Sequence, residues 1–156
     1  MLHRPFGLAT MTVAEREKHL RIVAEILLVH LPRVLHDQEL AKDLLSVVGV
    51  TLRAAWEDAL KSAEVWDRKH YHVRADQLRE EWTWALAAAN TAEGLAERAA
   101  PVTKEHLDRL RQLIRPSLEV PGRPIIRDVE AFRGAARANR ERRLREGRRT
   151  PRRSLV

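Results

Sequence analysis

Between Gly122 and Val156 the chain places twelve arginines against only Asp128, Glu130, Glu141 and Glu146, a net of +8, with no lysine among them. A guanidinium stays charged at any physiological pH and grips phosphate oxygens in a planar fork, whereas an ammonium acts as a point charge. Residues 1–121 hold 17 Lys+Arg and 18 Asp+Glu, a net of −1. The pattern predicts a polyanion-binding arm on a nearly neutral body. Besides Arg123 and Arg127 near its start, the arm offers Arg133, Arg137, Arg140, Arg142, Arg143, Arg145, Arg148, Arg149, Arg152 and Arg153 as nucleic-acid contacts. On the body, Arg68, Lys69, Arg74 and Arg79 form the one local basic cluster. RNA is expected ahead of DNA, because arginine-rich segments fold on structured RNA. An anionic membrane surface fits less well: a helix lying on it needs bulky apolar residues opposite the arginines, and the arm offers only Phe132 and Leu144.

Other residue types carry less chemistry. His70 and His72 flank Tyr71 beside Asp67 and Asp76, but residues two apart point to different sides of a helix, and neither HExxH nor a Cys/His pattern occurs. Glu80-Glu81 and Glu57-Asp58 each split across a helix surface, which predicts solvated carboxylates instead of an acid/base pair. With no GxSxG and no phosphate-cradling glycine loop, no enzyme activity, metal or cofactor is expected. Tryptophan stacks on unpaired bases, yet Trp56 and Trp82 fall on apolar stripes and read as core. Trp84 lies off the stripe of Trp82, since two residues rotate about 200° on a helix. A subunit interface or a second buried face would explain it, and the interface is preferred.

The elements that must position these residues read as helical. An apolar share of 44% with 33% charged residues argues for a folded body, and few glycines, prolines and aromatics favour helix. No cysteine is present, so disulfides and thiolate metal sites are excluded. The longest apolar run is far short of a membrane span, and the N-terminal MLHRPFGLATM lacks a signal-peptide core, so a cytoplasmic protein without membrane attachment is expected.

Thr12-Val13-Ala14-Glu15 has the form of a capping box, and Leu20, Val23, Ile26 or Leu27, and Leu31 recur on one face up to a break or kink at Pro32. A second helix is expected over 37–64, with Gly49 inside it allowing a neighbouring helix to approach. Residues 65–72 carry a turn, a third helix ends near Arg98, and Thr103 caps a fourth whose apolar side runs to Leu118, with Pro116 expected to bend or end it. The expectation is an all-α fold: a flexible lead-in over 1–11, an antiparallel four-helix bundle over 12–120, and a basic, partly helical C-terminal extension over 121–156. Within the extension, 128–145 form a helix too weak to stand alone, with Val129, Phe132, Ala136 and Leu144 on one face, ordered only against a partner or a neighbouring subunit. Residues 147–156 are expected to be extended.

The order of features is similar to a known family. A helix ends in Leu31-Pro32-Arg33, and a long one opens with Glu39-Leu40-Ala41-Lys42-Asp43-Leu44-Leu45. A third is centred on Glu81-Trp82-Thr83-Trp84-Ala85-Leu86, and Val102-Thr103-Lys104-Glu105-His106-Leu107 leads into the last. Over residues 13–119 this resembles the accessory variability determinant (Avd) proteins of diversity-generating retroelements and their four-helix-bundle relatives encoded within ribosomal RNA genes. The resemblance implies a homopentamer that binds the element's reverse transcriptase and template RNA and supports error-prone cDNA synthesis without catalysing it. Family members bind nucleic acid through basic bundle surfaces, whereas here the basic charge lies in the extension. A structural RNA-binding protein of a ribosome-associated or other ribonucleoprotein complex is the alternative.

Overall fold

The computed structural model describes residues 13–149, and every regular element among them is helical. In order these are α1 (Val13–Glu25), a π turn (Ile26–His30), α2 (Leu31–Val34), α3 (Gln38–Arg68), α4 (His72–Glu97), α5 (Lys104–Leu113), a 3-10 turn (Val129–Phe132) and α6 (Ala135–Arg149). Thr12, the expected first cap, lies outside the described residues.

α1, the π turn and α2 follow one another without leaving helical backbone angles. Of the break or kink expected at Pro32, the break lies at residues 35–37, and the local distortion is the π turn just before the proline. A proline ring collides with the carbonyl four residues back in a regular α-helix, and the wider π turn directly upstream relieves that collision. Asp37 then caps α3, its carboxylate accepting from the amide of Leu40 at 3.2 Å.

α3 is 31 residues long and passes the expected end at Glu64 by four residues. Its stop is a Schellman motif. The amide of His70 donates to the carbonyl of Asp67 and that of Tyr71 to the carbonyl of Trp66, both at 2.9 Å, with His70 in the left-handed region at φ 66°. The ring of Tyr71 meets Trp66 edge-on at 5.7 Å, which is the apolar contact that accompanies this cap.

α4 returns antiparallel to α3. Gln38 exchanges hydrogen bonds with Val102, Lys42 Nζ donates to the carbonyl of Arg98 at 2.6 Å, and Arg53 Nε donates to Glu93 at 3.0 Å. Close approach is possible because Ala85, Ala88, Ala89 and Ala92 on α4 are all fully buried small residues. Opposite them Gly49 admits the backbone of α4: a Cβ there would stand 2.5 Å from Glu93 Cγ and 3.3 Å from the carbonyl of Ala89.

The main core joins Val23, Ile26, Leu27 and Leu31 to the stripe Leu40, Leu44, Val48 and Leu52, and receives Leu107 and Leu110 from α5. A smaller cluster of Ala55, Ala59, Trp82 and Ala85 lies farther along α3, with Trp56 half-buried against it. Trp84 is half-buried, its ring 5.6 Å from that of Trp82, and lines a groove with Arg16 and Leu20 of α1. One expectation fails here. Asp58 is buried beside Ala59 while Glu57 is exposed, so that carboxylate pair does split, but one member faces the interior.

α5 starts at Thr103, whose hydroxyl accepts from the amide of His106, and ends at Leu113, three residues before the bend or end expected at Pro116. Ile114 is already extended, and Arg115 is disfavoured in helix because it precedes Pro116.

Gly49→Ala should lower stability by about 1–2 kcal/mol in a thermal or denaturant melt, the displaced Glu93 outweighing the gain in helix propensity. A variant as stable as the parent would show that the α3–α4 contact tolerates a wider spacing.

Candidate nucleic-acid interface

Over its described residues, which end at 149, the C-terminal extension is docked: the partner expected to order it is the chain's own body. Two buried carboxylates make the attachment. Glu25, 3% exposed, accepts from the amides of Ile125 at 2.6 Å and Ile126 at 2.7 Å and bonds His30 Nε2 at 3.0 Å. Burial pushes this carboxyl up, but the hydrogen bonds from Ile125, His30 and Ile126, with the charge of His30, outweigh it and hold Glu25 below its ordinary value. Ile126 thereby enters the core, and Val129 and Phe132 pack on its edge.

The entry to α6 is fixed from α3. Asp43, 5% exposed, accepts from the amides of Gly134 at 2.8 Å and Ala136 at 3.0 Å. A carboxylate at a helix N-terminus meets orphan amides and the positive end of the macrodipole together. Gly134 makes the approach with φ 92°, where a side chain would be strained. Next to it Arg133 forks between Asp37 at 2.8 Å and Glu130 at 2.7 Å; these hydrogen bonds raise its pKa and lower those of Glu130 and Asp37.

From there α6 lies along α3. Asn139 donates to Ser46 Oγ at 2.7 Å, and Arg143 reaches Glu93 at 3.5 Å and pairs with Glu97. Glu93 also receives Arg53, whose pKa is raised chiefly by that hydrogen bond, so one carboxylate ties α3, α4 and α6 together. The small inward residues Ala135, Ala136 and Asn139 let the helix sit close.

This docking divides the arginines. Arg133 and Arg143 are taken by the body. Arg137 pairs with Glu141 at 3.1 Å and Arg142 with Glu146 at 4.0 Å along the exposed side, pairs that hold little energy in water. Arg140 and Arg145 are exposed and make no ion pair among the described residues. Arg148 and Arg149 fall in the last turn of α6, which extends helix past residue 147, where an extended chain was expected. Arg152 and Arg153 lie outside the described residues. Leu144, expected on the packed face, is 57% exposed, because α6 begins only at Ala135 and its inward face follows Ala136, Asn139 and Arg143.

The body cluster gathers at the α3–α4 turn. Arg79 is consumed by Asp67 and, at 2.9 Å, by Asp76; Asp67 is held below its ordinary value by Arg79 and by His72, 2.8 Å away. Arg68 has only an exposed 3.9 Å contact with Glu64. Lys69 and Arg74 lie 5.8 and 4.5 Å from the ring centre of Trp66. Along α3, Arg68 of this cluster stands about 22 Å of helix beyond Arg53, which shares Glu93 with Arg143.

Sequence reading missed Glu25 and Asp43. For Asp43 a signal existed: it lies three residues after Leu40 and four before Val47, a charge set on the apolar stripe, where burial demands partners. Comparison with family models, with curated proteins and with solved structures finds no match to this chain. No helix among the described residues is long and apolar enough to cross a membrane.

Glu25→Gln replaces an acceptor-only group by an amide that must point a donor at a donor. It should cost about 2 kcal/mol at neutral pH. Because the folded pKa of Glu25 is depressed, its contribution is complete above the ordinary value of 4.5 and is lost as pH falls through the lower folded value. The difference in melting temperature between parent and variant should shrink over that acidic range; a difference independent of pH would contradict the assignment.

Proposed function

We propose that this protein is a non-catalytic accessory subunit that binds RNA through the outward face of α6. In this reading α1–α2, α3, α4 and α5 form an antiparallel four-helix bundle of the kind the Avd resemblance implies. The bundle assembles into a cytoplasmic homo-oligomer, a pentamer if the likeness extends so far, and holds template RNA for a reverse transcriptase during mutagenic cDNA synthesis. The observation that carries the RNA-binding part is the exposure of Arg140 and Arg145, with Arg137 and Arg142 in weak surface pairs, on a helix whose other face is fixed to the body. An ordered helix presents its arginines without a backbone ordering cost at binding, and repeated copies in an oligomer raise avidity without new contacts.

A second reading is favoured by where the charge lies. Basic residues concentrate in α6 and not over the bundle, which suits a structural RNA-binding protein of a ribosome-associated or other ribonucleoprotein complex with no polymerase partner. Co-purification with a reverse transcriptase encoded next to this chain separates the two: its retention supports the retroelement role, and its absence leaves RNA binding alone.

The combined change Arg137→Ala, Arg140→Ala and Arg145→Ala should leave the melting temperature unchanged. With three phosphate contacts removed, the log–log salt slope of single-stranded RNA binding should become shallower by about 2. Equal affinity and slope for parent and variant would defeat the assignment to α6.

A further inference from the structure

The α3–α4 turn is over-equipped for a turn. Closing it needs the two backbone bonds of the Schellman motif and an apolar contact between its third-last helical residue and the residue after the left-handed one, here Trp66 and Tyr71. Asp67, Arg79 and His72 staple the start of α4. What closure does not require is His70. Glycine is the low-cost residue at a left-handed cap, yet an imidazole stands there at φ 66°. Nor does closure require that Tyr71 stay 55% exposed and Val73 74% exposed. Arg68, Lys69 and Arg74 surround these groups, all exposed, the last two across Trp66.

We propose that this turn is a second nucleic-acid contact, selective for single strands, in which Tyr71 and His70 stack on an unpaired base while Arg68, Lys69 and Arg74 hold the flanking phosphates. The inference rests on the RNA-binding reading and adds the kind of strand each surface takes. Ring stacking needs an open base face, which a duplex hides and a single strand offers. α6 has no aromatic residue at all, and the nearest, Phe132, is packed against the core. It therefore meets phosphates of either form, and the turn alone tells paired from unpaired.

The test uses the full-length chain with a labelled uridine oligomer and a duplex RNA of equal phosphate count. Tyr71→Leu keeps an apolar partner for Trp66 but removes the ring, and Tyr71→Phe keeps the ring. His70→Gly removes the imidazole and relieves the left-handed backbone, so its melting temperature should rise. Tyr71→Leu and His70→Gly should each weaken the uridine oligomer by about tenfold and leave the duplex unchanged, whereas Tyr71→Phe should bind as the parent does. Loss for both RNAs in equal proportion, or no loss for either, overturns the proposal. So does binding to phosphatidylserine vesicles that follows the turn variants while RNA binding does not. The two readings separate: with α6 variants weak and turn variants unaffected, only this inference falls, and with the parent itself failing to bind RNA, both fall.

Discussion

Glu25 and Asp43 are carboxylates inside a helical body, and a buried charge is tolerable only when hydrogen-bonded donors replace its water. The donors are backbone amides of the C-terminal extension: Ile125 and Ile126 for the first, Gly134 and Ala136 for the second. Each carboxylate takes two amides, and each amide pair fixes a short segment of chain. Between them the anchors set where the segment after α5 crosses the body and where α6 begins. The C-terminal segment thus supplies part of the solvation of the body's buried carboxylates.

That constraint decides what the arginines do. Once Asp43 sets the start of α6, helical geometry assigns Arg143 to the carboxylates of α4 and turns Arg137, Arg140 and Arg145 outward. Net charge alone would treat all of them alike. The inward cations neutralise Glu93, Glu97 and Asp37, and the outward ones keep their field in solvent. Under the proposed function a polyanion would meet a surface whose backbone spacing is set in advance, unlike a disordered basic tail that must be ordered at contact.

Much of the body was legible in its apolar spacing. The stripe of Leu40, Leu44, Leu52, Ala59 and Ala63, the caps at Asp37 and Thr103, and the close approach at Gly49 all follow from local rules that the fold leaves in force. The misses have tertiary causes. Pro32 distorts its helix without ending it, because the π turn upstream accommodates the ring, and periodicity cannot register which of the two occurs. The extension was read as a helix in need of a partner, and the amphipathic pattern put Leu144 on the wrong face. Its true inner face is polar and small, held by Asn139 to Ser46 and Arg143 to Glu97, contacts that no apolar period announces.

The central claim is that α6 is docked before any nucleic acid binds. Amide hydrogen exchange across 135–147, measured on the free protein and again with RNA added, tests it most directly. The account predicts slow exchange in the free protein, comparable with the neighbouring part of α3, and little further slowing with RNA. Exchange at unfolded rates in the free protein, becoming slow only when RNA is present, would contradict it.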